Sequence, residues 1–480
     1  MTPGHARPMA ALVWFTGGAL LAFQTGDGLT PTKLIYVAGV AVFVVFALVH
    51  RKTDLPAHLV HRFRPALIGS GLLAGWIVLV TAFHSLAVRG ILFEDWARDA
   101  LTYLLIPAGV VLGVSACTVL SLRFVRVLTL AIGVVSALAF AIAWIQRRGF
   151  GAVDNAQSLL ASIVTISIAL GLAFGLALAG TRRNLLWLAF GAALVVAVLV
   201  TGTRAGALLA VVLVGMAGPA RKERIGPSRL VLGGVATVAA IGVLLPVAGA
   251  LFSSKSFVSD RLASIVTFLT NDVSQDYSGA IRERAYAYAG QIYLENPFFG
   301  QGLGEFFPNP NPGSRMLNFS LDTPLMYPAK FGLFGTVVLF VSLALIVYSL
   351  VRRMPGEPWL LESTAVRGAT LFWVCLLPFG ATTEDKGFSV ALALSLALVG
   401  AAAVAGHSPP GPAAPPDAVL AGAVLTDAPR ATRGSDDAVT AVDTDAVTPG
   451  GTDAVTPAST AAAPARRSSL RGGGRPHPLR

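Results

Sequence analysis

The sequence has few charged residues and few cysteines, and both shortages limit what the chain can be. Charged residues make up 13% of the 480 residues and hydrophobic residues 54%, whereas a soluble domain carries about 25% charged residues. We therefore expect lipid rather than water to surround most of the chain. The two cysteines, Cys117 and Cys375, lie within apolar runs, so neither a disulfide framework nor a cysteine metal site is expected.

The formal net charge is +11, but the basic residues lie in short links between apolar runs rather than on one face. This distribution argues against a nucleic-acid-binding protein and is typical of the cytoplasmic loops of membrane proteins. The long polar loop at 253–322 shows no cluster of carboxylates at ligand spacing. The loop therefore shows no sign of a metal site. No cofactor is expected.

Apolar runs recur along the chain, and many hold roughly 20 residues, the length that crosses a bilayer. Because backbone groups in hydrocarbon must pair internally, these runs are expected to be helices. The sequence predicts an all-α integral membrane protein with about twelve transmembrane helices. The predicted spans are 9–24, 34–49, 66–83, 101–120, 124–145, 157–179, 184–201, 205–218, 230–252, 323–351, 365–380 and 388–406. The first run ends without a clear cleavage site, so we expect an uncleaved span.

The links between the predicted spans alternate in charge. Links after even-numbered spans are basic, as at 50–65, 121–123 with the adjoining Arg126, 182–183, 221–229 and 352–367, whereas the links 84–100 and 381–387 carry acidic residues. The positive-inside rule then places both termini in the cytoplasm and the loop 253–322 outside. Residues 1–406 form the predicted multi-pass transmembrane domain. Residues 407–480, rich in Pro, Ala, Asp and Thr, are expected to be a disordered cytoplasmic tail.

The long loop contains a predicted helix. Ser278 is a candidate N-cap, and Asn296-Pro297 should end the helix after Glu295. One face of this helix carries an arginine above aromatic residues: Arg282, Tyr286, Ala289 and Tyr293. A guanidinium binds phosphate oxygens in a bidentate way, and aromatic rings cover sugar C–H groups. This face is therefore a candidate seat for a phosphate next to a sugar, with Arg284 on another face.

The helix is followed by FFGQGLGEFF, in which Gly300, Gly302 and Gly304 permit positive φ and close backbone approach. This pattern is not a dinucleotide fingerprint, because no strand is predicted before it and no helix after it. A turn that binds substrate and a tight turn that packs two Phe pairs into the membrane face both fit these residues.

A second motif, TGTRAG at 201–206, places Arg204 between two apolar runs, where a charge is costly. It could be an arginine that snorkels from a helix end. The small residues on both sides instead favour close approach to a ligand or to another helix.

Together these motifs resemble the O-antigen ligase and polymerase superfamily of bacterial membrane glycosyltransferases. The resemblance rests on Thr201–Gly206, then Arg282 with an aromatic residue four positions on, then Pro297 with the Gly-x-Gly turn, and finally Lys330-Phe331-Gly332-Leu333-Phe334-Gly335 at the end of a segment that re-enters the membrane. It covers roughly residues 10–400. The family usually has Trp where Tyr286 stands. It implies transfer of a glycan from a polyprenyl-pyrophosphate-linked oligosaccharide donor to a glycan or glycolipid acceptor, outside the cytoplasmic membrane and without metal.

The chain departs from the ligases of this family at the expected base. They carry a His-Asn pair before the re-entrant segment, whereas this chain has Leu321-Asp322-Thr323. The family His falls on Leu321 or on Asp322, depending on a one-residue gap. Polymerase-like members often have Asp there, so the departure favours a polymerase over a ligase. Asp322 is the candidate base, and it could also cap the next helix. Glu305 and Glu283 are alternative acids.

The resemblance implies that Arg204 and Arg282 hold the pyrophosphate, with Arg284 as a helper, while Tyr286, Gly302 and Gly304 line the substrate site. Three other classes of protein remain open. A flippase or transporter of lipid-linked glycan would place charges along a path within the spans. A cell-wall glycan polymerase of the shape-and-division class uses an Asp in an outer loop. A membrane scaffold would need none of these motifs.

Overall fold

The computed structural model describes residues 3–19, 22, 30–50, 56–147, 163–178, 184–200, 277–308, 317–318, 321, 323–352 and 361–407. All of them lie within one compact unit, Met1–Pro410. Arg204, Asp322 and residues 408–480, which hold the predicted tail except its first residue, lie outside the described residues.

The described residues are mostly helical. The helices are α1 (Pro3–Val13), α2 (Pro31–His50), α3 (Ala57–Gly75), α4 (Phe93–Ala116), α5 (Leu122–Arg147), α6 (Ile163–Leu178), α7 (Asn184–Val200), α8 (Tyr277–Glu295), α9 (Met326–Val351), α10 (Leu361–Leu376) and α11 (Lys386–His407). Wide, π-helical turns extend α1 through Trp14–Gly18 and α3 through Trp76–Thr81 and Phe83–Val88. Within the described ranges, strand structure is limited to β1 (Phe307–Pro308) and β2 (Leu317–Asn318), which pair antiparallel. This small pairing in the long loop was not predicted.

Five helical stretches in the described part of the chain are long and apolar enough to cross a bilayer. They are Pro31–Val49, Ala57–Val88, Phe93–Ala116, Met326–Val351 and Gly387–Gly406. The helical membrane fold is confirmed at this level. The count of twelve spans and the cytoplasmic position of the termini stay predictions.

The helix bounds differ from the sequence prediction around the first acidic link. The prediction left residues 84–100 outside the helices, but α3 with its wide turns continues to Val88 and α4 begins at Phe93. Glu94 and Asp95 lie in the first turn of α4, where carboxylates interact favourably with the helix dipole. Asp99 is buried inside α4, and its charge is paired with a lysine of another helix. Acidic residues therefore do not mark the end of this helix.

Small residues let the principal helices approach closely. Helix α4 packs against α11, and α3 packs against α9. A Cβ atom added to Gly109 would come within 2.6 Å of Ser389 O, and one added to Gly113 within 2.5 Å of Ala393 O. Side chains larger than hydrogen would separate these backbones, so the two glycines allow the tight interface that membrane helices commonly form through small residues.

Helix α9 is broken near its start. Gly332 has φ 63° and ψ −170°, which interrupts the helix after a first segment at 326–331. An L-residue rarely adopts this conformation. The break leaves backbone groups without helical partners, and these groups become the docking point for the long loop.

Candidate functional site

Helix α8 is the part of the long loop that carries the predicted arginine face. The structure confirms that it ends at Glu295, followed by Asn296-Pro297. It begins at Tyr277, so Ser278 lies in its first turn and the prediction of Ser278 as N-cap was wrong. Ala285, Ala289 and Ile292 are buried in a cluster with Phe307, Leu321, Met326 and Ala329. The loop helix therefore lies against the first segment of α9.

The predicted substrate-binding side chains of α8 lie around this buried contact. Arg282 and Arg284 are exposed, and Tyr286 is half-buried. The Tyr286 hydroxyl donates to Pro378 O at 3.4 Å, which joins α8 to the turn after α10. Ala289, predicted on the same face as Arg282, is completely buried. The arginine face thus borders the packed side of α8 rather than facing wholly into water.

Tyr288 lies on the same helix beside two acidic residues. Burial raises the pKa of the Tyr288 hydroxyl, and the carboxylates of Glu295 and Glu305 raise this pKa further. The hydroxyl is therefore protonated at neutral pH and available as a hydrogen-bond donor. Sequence reasoning did not single out Tyr288.

The turn that follows α8 forms hydrogen bonds with the backbone groups on both sides of the break in α9. Gln301 N donates to Ala329 O at 2.8 Å, and Gly302 N donates to Lys330 O at 3.0 Å. In the other direction, Leu333 N donates to Pro297 O at 2.7 Å and Phe334 N to Phe298 O at 3.2 Å. The Gly-x-Gly turn and the start of α9, which the sequence predicted as separate motifs, form one unit. Each supplies hydrogen-bond partners for backbone groups that the other leaves unpaired.

All three glycines of the turn have positive φ: Gly300 71°, Gly302 93° and Gly304 90°. Gly302 lies against Ser85 and Gly304 against the start of α4, where an added Cβ would come within 2.6 Å of Trp96 N. Leu303 N donates to Ser85 Oγ at 2.9 Å. The turn is therefore held on two sides, by the break in α9 and by the ends of α3 and α4.

The two Phe pairs of this segment behave differently. Phe298 and Phe299 remain about half exposed, and both pack on Phe334 with ring centroids 5.8 and 5.6 Å apart. Phe306 is also partly exposed, whereas Phe307 is completely buried in the cluster beneath α8. Of these four phenylalanines, only Phe307 is a core residue. The first pair forms an apolar surface beside the turn.

A buried group of charges lies beneath the turn. Lys330 Nζ is 2.8 Å from Asp99 Oδ1 and 3.0 Å from Glu384 Oε1. The second oxygen of Asp99 accepts from Gly304 N at 3.0 Å, and Tyr103 donates to Glu384. Sequence reasoning noticed Asp99 and Glu384 only as link charges and Lys330 only as part of a glycine motif. Lys330 stands within a predicted span, which is the signal that could have identified it.

The residues on either side of Asp322 are placed by the structure. Leu321 is buried in the cluster beneath α8, and Thr323 N donates to Leu321 O at 2.8 Å. Helix α9 starts only at Met326, and its N-cap is Leu325. Asp322 itself lies outside the described residues, so the alternative prediction that it caps this helix stays a prediction. Its role as base stays a prediction.

The described site thus joins Arg282, Arg284, Tyr286, Gly302 and Gly304 through one loop helix and one turn. Within the described ranges no group of three or more His, Cys, Asp or Glu residues is arranged to hold a metal ion.

Part of the chain matches a known protein family. No curated protein matches the chain. Residues 188–340, however, match the model of the family described as O-antigen ligase. The matched segment includes the position of Arg204, helix α8, the glycine turn and the break in α9. This match confirms that the chain resembles the O-antigen ligase-like superfamily, a group of membrane glycan ligases and polymerases.

Proposed function

We propose that this protein transfers an oligosaccharide from polyprenyl pyrophosphate to a hydroxyl of an acceptor glycan on the outer face of the bacterial cytoplasmic membrane. The observation that carries the proposal is the docking of the Arg282 helix and the glycine turn on the break in α9, within the segment that matches the family. The product would be a cell-surface polysaccharide. The carrier is taken as polyprenyl pyrophosphate because the family resemblance implies it.

The reaction makes few chemical demands, because the donor already carries a good leaving group. The acceptor oxygen forms a bond to the anomeric carbon of the donor sugar, and the bond from that carbon to the pyrophosphate oxygen breaks. The acceptor proton passes to a base, and polyprenyl pyrophosphate leaves with the electron pair. The protein must stabilise the charge on the leaving pyrophosphate and orient the attacking hydroxyl.

We assign the leaving-group role to Arg282 and Arg204, with Arg284 as a helper. Arginine keeps its charge at all relevant pH values and binds phosphate oxygens with a planar pair of donors. The exposure of Arg282 and Arg284 at the edge of the packed face of α8 supports access to a large lipid-linked donor. Tyr286 and the turn at Gly302 and Gly304 would border the sugar.

We assign the base to Asp322. One observation supports this choice: its neighbour Leu321 packs in the cluster beneath the Arg282 helix. The Asp in place of a His favours a polymerase over a ligase. In a polymerase the acceptor is itself a lipid-linked glycan.

The experiment that tests the assignment is glycan transfer by purified variants, with lipid-linked oligosaccharide as donor. Arg282→Ala and Arg204→Ala should abolish transfer while protein levels stay normal, because each removes a charge from the leaving-group site. Asp322→Asn should be as inactive as Asp322→Ala, since the amide cannot take a proton. Wild-type activity in either arginine variant would overturn the leaving-group assignment, and wild-type activity in Asp322→Asn would overturn the base.

A further inference from the structure

The charges of Asp99, Lys330 and Glu384, called the charge clamp below, are almost entirely removed from water. The exposed fractions of their side chains are 6%, 1% and 10%. Burial of an ion costs several kcal/mol even when it is paired, and apolar residues of similar volume often stabilise a fold more. The clamp is therefore not explained by stability alone. An ionisable residue within an apolar helix also points to a functional role.

The clamp joins four separate parts of the chain. Lys330 lies in the first segment of α9, Asp99 in α4 and Glu384 in the outer turn before α11. Each carboxylate accepts from Lys330 and from one further donor: Gly304 N–H for Asp99 and the Tyr103 hydroxyl for Glu384. The Gly304 N–H belongs to the long loop. The clamp thus fixes the turn of the loop to the helices around it.

Lys330 also acts on the turn through its backbone. Its carbonyl oxygen accepts from Gly302 N at 3.0 Å, and its neighbour Ala329 packs beneath α8. Two hydrogen bonds, one through Asp99 and one through the Lys330 carbonyl, therefore hold adjacent points of the same turn. A shift of Lys330 or Asp99 would move the turn and, with it, the end of α8.

We infer that Asp99, Lys330 and Glu384 are positioning residues that hold the glycine turn, and through it the Arg282 helix, in the geometry needed for glycan transfer. The catalytic part of this inference rests on the proposed function. None of the three residues is assigned a contact with substrate. A displacement of about 1 Å in a catalytic group can lower the rate roughly 100-fold, so loss of the clamp is expected to lower kcat more than it changes KM for the donor.

Two matched double variants separate positioning from stability. D99N/K330M keeps an amide oxygen that can accept from Gly304 N–H, whereas D99L/K330M removes that acceptor. Both variants remove the buried ammonium together with the carboxylate of Asp99, and both leave Glu384 without its ammonium partner, so they differ only in the acceptor for Gly304 N–H. R126M/E362Q is the control, because Arg126 and Glu362 form a partly buried ion pair that joins α5 to α10 instead.

The full-length protein in detergent is assayed for kcat and KM with lipid-linked oligosaccharide, and for deuterium uptake of the peptide covering 297–308. D99N/K330M should lie between the wild type and D99L/K330M in kcat and in uptake, because it loses both ion pairs but keeps an acceptor for Gly304 N–H. D99L/K330M should lose roughly 100-fold in kcat with KM little changed, and its uptake at 300–304 should rise. R126M/E362Q should leave that uptake at the wild-type level.

Equal kcat and equal deuterium uptake in the two Asp99 double variants would overturn the inference. If D99L/K330M does not accumulate in cells, the variant Y103F is measured in its place. Y103F removes the hydroxyl that donates to Glu384. Unchanged kcat and uptake in Y103F would then count against the clamp. If the wild-type protein transfers no glycan, the proposed function is wrong, while the uptake comparison still decides whether the clamp holds the turn.

Discussion

At the scale of single residues, the three glycines of the turn combine positive φ with close neighbours. Their positive φ values and close neighbours follow from one requirement: the backbone of the loop must reach the backbone of α9 and α4. Gly304 contributes most, because its N–H meets Asp99 while its Cα lies against the backbone of Trp96. A side chain at this position would both strain the turn and push it away from α4.

Gly304→Ala should therefore abolish transfer and destabilise the protein, while Gly90→Ala should be mild. Gly90 also has positive φ, at 68°, but an added Cβ would have nothing within 4 Å. The conformational cost alone is about 1–2 kcal/mol, so Gly90→Ala measures strain without a clash. Thermal unfolding and transfer activity of the two variants provide the comparison. Equal loss in both would show that contact with α4 contributes nothing.

The residues of the site differ in how far the sequence could reveal them. The glycine turn, Arg282 and Tyr286 lie within 23 residues of one another along the chain, so local pattern was enough to select them. The partners Lys330 and Asp99 are 231 residues apart. Their pairing depends on the packing of α4 beside α9, which no local pattern determines.

At the scale of elements, the relation between α8 and α9 determines the site. The end of α8 was predictable because Asn296-Pro297 disfavours a helical conformation. The break in α9 was predictable only as a glycine motif, and its hydrogen bonds to the turn were not. The packing of α8 also shows that its arginine face is not wholly exposed to water, because Ala289 on that face is buried against α9.

The buried contact of α8 can be tested with two alanines of the same helix. Ala289→Leu should lower transfer strongly, because added methylene groups in a packed site cost about 1–3 kcal/mol and would lift α8 from α9. Ala287→Leu should have little effect, since Ala287 is exposed. The ladder of glycan products and the protein level are measured for both. A normal ladder in Ala289→Leu would contradict the packing of α8 on α9 as a requirement for activity.

At the scale of the whole molecule, composition determined the class of protein and charge alternation predicted its orientation. The structure agrees with the class that composition indicated, because five helices in the described part of the chain are long and apolar enough to cross a bilayer. The bounds of individual helices were less predictable, since α3 and α4 extend into a link that its acidic residues had marked as non-helical. A charge that is paired in three dimensions does not interrupt a helix.

The predicted orientation can be measured by cysteine labelling in whole cells. After replacement of Cys117 and Cys375, Ser314→Cys in the long loop should react with a membrane-impermeant maleimide in intact cells. Ser459→Cys in the C-terminal tail should react only after the membrane is opened, because the positive-inside rule places the tail in the cytoplasm. Labelling of Ser459→Cys in intact cells would contradict the predicted topology.

The central claim, that this protein transfers glycan from a polyprenyl carrier, is tested most directly by the lipid-linked glycans of a strain that lacks the gene, compared with its parent. We predict that single repeat units accumulate on the carrier and the ladder of longer chains disappears, and that the wild-type gene restores the ladder whereas Arg282→Ala does not. Long chains stranded on the carrier would indicate a ligase instead of a polymerase. An unchanged profile would contradict both activities and would favour a transporter or a scaffold.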